Sequence, residues 1–328
     1  MTDLSLKGDG VNPWRAYLGE IYYSRKPPQP LGTVSFDEIE KKAEEKLREY
    51  PGAFMYAGGS AGTNSTYRAN IRAFEKWSIV PRMLRDATHR TLETTLFGRT
   101  FSSPILLAPI GAQGIFSADG ELAPAKACKN LGVPFIMSSA ATRTIEEIAE
   151  ANGDGERWFQ LYWPRSDEVT LSILSRAKAA GFHALVVTLD TTLIGWRPHD
   201  LNRSYLPFVH AMGVQIGVSD PVFMARLGRT PITETIHEFP YNAEKLDQAL
   251  LAGDEKVKEM AYLGIEWMKE ANSGVYRTWE DLKFLRDNWE GPIVLKGIQS
   301  REDAEKALQY NVEGILVSNH GMSSWALR

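Results

Sequence analysis

The chain has 328 residues, of which 43% are hydrophobic and 24% charged, and a formal net charge of -4. That is ordinary globular composition, enough for one large core or two modest ones, and its slight acidity gives no electrostatic basis for holding nucleic acid or an anionic membrane. A single cysteine, Cys128, excludes an internal disulfide framework and suits a reducing compartment.

The first residues, Met1-Thr2-Asp3-Leu4-Ser5-Leu6, lack the basic and apolar regions of a signal peptide. No apolar run reaches the roughly 18 residues that span a bilayer. The final Ala326-Leu327-Arg328 is not a peroxisomal address. A cytoplasmic protein is the expectation. The Pro-rich segment 26–30 reads as an extended entry. A charged helix is predicted over 35–50, stopped by Pro51-Gly52. A Gly-rich turn over 56–62 then exposes Tyr56 and leads into a second helix over 67–77. The turn carries neither G-x-G-x-x-G nor G-x-x-x-x-G-K-[ST], so it is not read as a phosphate loop. Residues 1–95 are read as an N-terminal helical extension, and 96–328 as the main domain.

From residue 104 a rhythm sets in. Short apolar runs over 104–109, 133–139, 158–162, 184–190, 293–297 and 314–320 end in polar residues. Helical stretches over 121–131, 144–151, 167–180, 278–288 and 301–310 separate them. Runs with no polar alternation imply strands buried on both faces, hence a parallel sheet. Alternating strands and helices allow a (β/α)8 barrel or an open doubly wound sheet. The polar endings favour the barrel, which gathers every strand end into one ring. About 100 residues separate Asp190 from Gly291, far more than an ordinary connection, so a long lid insertion is expected over 190–291.

Several strand ends could do chemistry. Lys296 stands on an apolar strand. It either snorkels to solvent or supplies a fixed positive charge to an anionic cofactor or intermediate. His320 follows the last strand. It is either structural or, if Asp190 orients it, a general base near neutral pH. Arg197 either pairs with Asp200 on the surface or binds a carboxylate. Gln160 and Tyr162 share a strand face and either fill the core or line a site. The histidines lack H-x-x-x-H spacing and one cysteine cannot build a thiolate site, so no metal set is predicted.

In combination these motifs resemble the FMN-dependent α-hydroxy acid oxidases and dehydrogenases: Ala108-Pro109-Ile110-Gly111-Ala112, Phe159-Gln160-Leu161-Tyr162, Thr188-Leu189-Asp190-Thr191, Leu295-Lys296-Gly297-Ile298 and Ser318-Asn319-His320-Gly321. Ala53-Phe54-Met55-Tyr56, Gly59-Ser60-Ala61-Gly62 and Ile194-Gly195-Trp196-Arg197-Pro198 resemble the lactate 2-monooxygenase branch. The resemblance implies an FMN-linked TIM barrel with an N-terminal helical lead-in, and oxidation of a small L-2-hydroxy acid with reoxidation by oxygen. It implies that Pro109, Ile110, Gly111, Ser138, Gln160, Thr188, Lys296 and Ser318 hold FMN. Tyr56 and Arg197 would bind the substrate carboxylate, Tyr162 its hydroxyl, and His320 would be the base, with Asp190 stabilising its cationic form. Gly111, where the oxidases carry alanine, would leave room beside the flavin as in the monooxygenase branch. A homo-oligomer of four or more subunits is the family habit.

The chain also departs from the pattern. Ser323 stands where the family has a second substrate-binding arginine. No D-x-G-x-R-x-G or Gly-Arg segment for the FMN phosphate follows Gly321. The expectation is therefore a truncated barrel of about six of eight units, doubtful as an oligomer. The competing expectations are a catalytically impaired fragment unable to hold the FMN phosphate, and a different barrel enzyme acting on a phosphorylated substrate.

Overall fold

The computed structural model describes residues 13–86, 91–236 and 238–321. Four helices come first: α1 (Pro13–Ser24), α2 (Phe36–Lys46), α3 (Pro51–Gly58) and α4 (Ser65–Glu75). At Pro51 the structure differs from the sequence expectation. This proline does not merely stop a helix but opens α3, because the missing N–H of proline is no loss in a first turn. Tyr56 therefore rides on a helix and not in a turn. A hairpin of β1 (Thr94–Leu96) and β2 (Arg99–Phe101) follows.

The main sheet is built from β3 (Phe135–Ser138), β4 (Arg157–Leu161), β5 (Ala184–Thr188), β6 (Ile293–Ile298) and β7 (Gly314–Val317). Their spatial order is their sequence order and every pairing is parallel. A doubly wound sheet would reverse direction at a switch point; an unreversed order is that of a barrel wall. The first predicted strand, 104–109, is reduced to one parallel bridge, Leu107 to Phe135, on the free side of β3. Pro104 and Pro109 flank it, and prolines donate nothing to a ladder. Among the described residues the wall is an open arc, with β7 paired only to β6 and Val317 74% exposed. Ser323 lies outside the described residues.

Side-chain alternation sorts the strands into two faces. Phe135, Met137, Phe159, Leu161, Leu185, Val187, Ile293 and Leu295 face the outer core. They pack there with α5 (Leu122–Leu131), α6 (Ile145–Asn152) and α7 (Asp167–Ala179). Each such aliphatic or aromatic side chain is worth about 1.5–3 kcal/mol when fully buried. Ile136, Trp158, Ala184, Val186 and Val294 form the inner cluster, to which the hairpin adds Leu96 and Phe97. The Phe97 ring lies 5.2 Å from that of Trp158, so the hairpin plugs one end of the interior. Further along the same inner face come Ser138, Gln160, Thr188 and Lys296. The wall is thus apolar at its N-terminal end and polar at its C-terminal end.

The interval from 190 to 291 is folded and not a bare loop. It holds α8 (Pro198–Leu201), α9 (Gln215–Val218), α10 (Pro221–Arg226), α11 (Ala243–Ala252), α12 (Glu255–Ala271) and α13 (Leu282–Asn288). In α12, residues Val257, Met260, Leu263 and Trp267 are buried at helical spacing, and Asp254 caps its first turn by accepting from the Val257 N–H. Helix α14 (Arg301–Ala307) connects β6 to β7 and is capped by Ser300 as its sequence predicts. Among the described residues no helix is long and apolar enough to cross a membrane.

Candidate active site

The floor of the site is a hydrogen-bonded chain across three strands. Ser138 Oγ donates to Gln160 Oε1 (3.1 Å), the Ser139 N–H donates to the same oxygen (3.2 Å), and Gln160 Nε2 donates to Thr188 Oγ1 (2.8 Å). Gln160 is buried, and the chain fixes its amide with carbonyl toward β3 and NH2 toward β5. Beside it, Lys296 is only 8% exposed. Burial pushes its ammonium below the ordinary lysine range, with Asp190 opposing. It does not snorkel away, and its nearest carboxylate, Asp190, is 4.0 Å distant. Gly297 sets this geometry. At φ +108° it forms the irregularity between Lys296 and Ile298, and a Cβ there would lie 2.8 Å from Asp190 Cβ.

His320 closes the floor. Its Nδ1 lies 2.8 Å from Asp190 Oδ1, 2.8 Å from Thr191 Oγ1 and 3.5 Å from Lys296 Nζ. A carboxylate against Nδ1 places the ring proton there and leaves Nε2 as the basic atom. Nε2 is 3.5 Å from the Tyr162 hydroxyl, and the two rings stack 17° from parallel. The His320 backbone sits at φ +53°, a region rare for a non-glycine residue and common at functional sites. Two contacts hold it there. Its N–H donates to Ser318 Oγ (3.0 Å), and its neighbour Asn319 exchanges two amide hydrogen bonds with Asn70 of α4 (2.9 and 3.1 Å).

The rim comes from distant segments. The Arg197 guanidinium stands 5.0 Å over the Tyr56 ring. Tyr56 also packs against Tyr205 and Phe208. Burial raises the Tyr56 and Tyr162 phenols above the ordinary tyrosine range, so both remain hydrogen-bond donors at working pH; Arg197 opposes the rise in each, and at Tyr162 the Asp190 charge adds to it. Arg197 Nη1 donates to Asp200 Oδ2 (3.2 Å). The Arg197–Asp200 pair exists, but both side chains are 13% exposed and the arginine lines the cavity. The surface-pair expectation is corrected to a sheltered pair at the cavity wall.

Floor and rim enclose a cavity of about 400 Å³. Of the eight residues expected to hold FMN, six line it: Pro109, Ile110, Gly111, Ser138, Lys296 and Ser318. Gln160 lies behind Ser138, and Thr188 opens onto a neighbouring cavity of about 270 Å³ that shares Thr191. Tyr56, Tyr162, Arg197 and His320 line the main cavity, with Asp190 buried behind the imidazole. Gly111 allows close packing more than it leaves room, since a Cβ there would sit 2.8 Å from Ala140 Cβ and 2.9 Å from its carbonyl oxygen. A sheltered cation, a fixed amide and paired serines around an apolar slot fit an anionic, planar, hydrogen-bonding cofactor such as FMN.

Two parts of the site are not evident from sequence. Glu121, fully buried, accepts from the N–H groups of Gln113 and Thr142 (both 3.0 Å) and from Thr142 Oγ1 (2.6 Å), which ties the 110–114 loop to the strand β3 exit. Its only signal in the sequence is a carboxylate just ahead of a helix. Phe208, Trp267 and Met268 supply the apolar wall of the cavity, and nothing in their spacing separates them from ordinary core.

Comparisons with known proteins agree with this fold. A family profile described as FMN-dependent dehydrogenase matches residues 43–323. The chain is 41% identical over 308 residues to the FMN-dependent alpha-hydroxy acid dehydrogenase qulF of Penicillium citrinum, covering 93% of this chain and 70% of that protein. It is 35% identical over 303 residues to an L-lactate oxidase of Lysinibacillus sphaericus, covering 92% and 70%. A crystal structure of mandelate oxidase superposes with a TM-score of 0.66 at 31% identity, covering 89% of this chain and 71% of that one.

Proposed function

The chain belongs to the family of FMN-dependent dehydrogenases that act on α-hydroxy acids, with FMN as cofactor, and on that premise we propose that it oxidises a small, lactate-like L-2-hydroxy acid with His320 as the base. The observation that carries this reading is the His320 ring, proton-anchored at Nδ1 by Asp190, with Nε2 turned toward Tyr162 in a cavity that also displays Arg197.

The substrate carboxylate pairs with Arg197 and accepts from the Tyr56 hydroxyl, which orients the 2-carbon toward the floor. Tyr162, a protonated phenol, donates to the substrate hydroxyl. His320 Nε2 accepts a proton from the hydroxy acid, and Asp190 stabilises the imidazolium that results. The chemistry that bound FMN supplies is acceptance of the two electrons of the oxidation and their passage to oxygen. Pro109, Ile110, Gly111, Ser138 and Ser318 would hold the cofactor, and the Lys296 ammonium would stabilise negative charge developing beside it. The lactate 2-monooxygenase-like form of the reaction rests on the resemblance of segments 53–62 and 194–198 to that branch, because a Cβ at Gly111 would meet Ala140 and not open cavity. Phe208, Trp267 and Met268 bound the side-chain end and favour a small substituent over an aryl ring.

Substrate size tests this. The ratio of kcat/KM for L-lactate to that for L-mandelate should exceed one, and Trp267→Ala should lower it. A parent chain that prefers mandelate would sink the lactate-like assignment while leaving the family chemistry intact.

A further inference from the structure

Arg197, read above as the carboxylate-binding group, is braced by Asp200 much as His320 is by Asp190. Asp200 Oδ2 accepts from Arg197 Nη1 (3.2 Å), and His199 Nε2 stands 3.3 Å from Oδ1 without making a hydrogen bond. All three residues sit at the start of α8, whose geometry brings Asp200 back beneath Arg197, with the Asp200 N–H donating to the Arg197 carbonyl (3.1 Å). The segment is tied in turn to the N-terminal helices, because the Gly62 N–H donates to the Trp196 carbonyl (2.8 Å). Arg197 therefore has Asp200 on one side and the Tyr56 ring on another.

We propose that Asp200 is a positioning residue, which acts through Arg197 by fixing the direction in which its guanidinium meets the substrate carboxylate. An arginine has a long, rotamer-rich side chain, and much of the cost of using one for recognition is the freedom it loses on binding. Asp200 removes that freedom in advance. It also keeps the local charge near neutral before substrate enters, so the sheltered guanidinium is not left unpaired. Burial pushes the Asp200 carboxyl above the ordinary aspartate range, while Arg197 and then His199 oppose that rise. The inference rests on the reading of Arg197 as the carboxylate-binding group.

The test uses the full 328-residue chain and two probes, L-lactate and its neutral amide, lactamide. Binding is followed by the change in the chain's total tryptophan fluorescence, to which Trp267 in the cavity wall contributes. The parent chain should prefer lactate. Asp200→Asn should weaken lactate binding by about tenfold with little effect on lactamide, and Asp200→Glu should recover most of the loss. Asp200→Ser gives the same comparison if the asparagine variant does not fold. In turnover the loss should appear as a raised KM with kcat changed less. An Asp200→Asn chain that keeps the parent's lactate affinity and preference overturns the inference and leaves Arg197 in its role. A parent chain with no preference for lactate over lactamide overturns the reading of Arg197, and the inference falls with it.

Discussion

The floor and the rim of the cavity are made by different means. Floor residues stand on consecutive parallel strands, and the register of the sheet brings Ser138 opposite Gln160 and Thr188 opposite Lys296. Their positions follow from ladder hydrogen bonds and from burial on both faces of the wall. Rim residues come from α3, the β5 exit and α12, and meet only because long connections fold back. The floor is held by backbone; the rim is held by side chains, through Arg197 on Tyr56 and on Asp200. On the proposed reading, chemistry that must be placed to a fraction of an ångström lies on the rigid part, and recognition of the substrate on the part whose sequence can change without disturbing the sheet.

The division can be broken at its most demanding point first. His320→Ala should lower kcat by about 10²–10⁴-fold, the range for loss of a general base, and leave FMN absorbance per chain unchanged. If flavin content fell with activity, His320 would be a structural part of the floor. Lys296→Met should lower kcat by about 10²–10³-fold without raising KM in proportion. An equal rise in KM would move Lys296 to the substrate side of the division. At the rim, Arg197→Met should raise KM for L-lactate by about tenfold or more, as expected for a charged hydrogen bond, with a smaller change in kcat.

The mildest change concerns the support of the floor. Burial raises the Glu121 carboxyl above its ordinary value of 4.5, against the hydrogen bonds that favour its charged form. Between the ordinary and the raised value the folded chain binds the proton more tightly than the unfolded one. This contribution to stability is therefore fully present at low pH and is lost as pH rises through the raised value. Glu121→Gln removes the titration and keeps an acceptor for the Gln113 and Thr142 N–H groups. Urea midpoints measured from pH 4 to 8 should vary less with pH in the variant, which should be no less stable than the parent at the upper end. A variant much less stable at pH 8 would show that the charged carboxylate is the stabilising form.

The same division explains what the sequence made visible. Gln160, Lys296 and Ser318 could be picked out because each is a polar residue on an otherwise apolar strand, and strands repeat every two residues. The barrel could be preferred to an open sheet because so many strands end this way. The apolar run at 104–109 forms only a single bridge because prolines stand at both of its ends. Tyr56 and Arg197 were assigned together only by resemblance, because no local pattern encodes a contact between α3 and the β5 exit. The two readings of Arg197, ion pair or carboxylate binder, proved compatible: Asp200 occupies one side of the guanidinium and the cavity another. Nothing in the sequence sets Glu121 apart, because a carboxylate ahead of a helix usually signals nothing more than an N-terminal turn.

The most direct test of His320 as the base is anaerobic mixing of the FMN-loaded chain with L-lactate, followed at the flavin band near about 450 nm. The account predicts rapid bleaching in the parent chain and bleaching slowed by two or more orders of magnitude in His320→Ala carrying the same flavin. Equal rates in the two chains would contradict it.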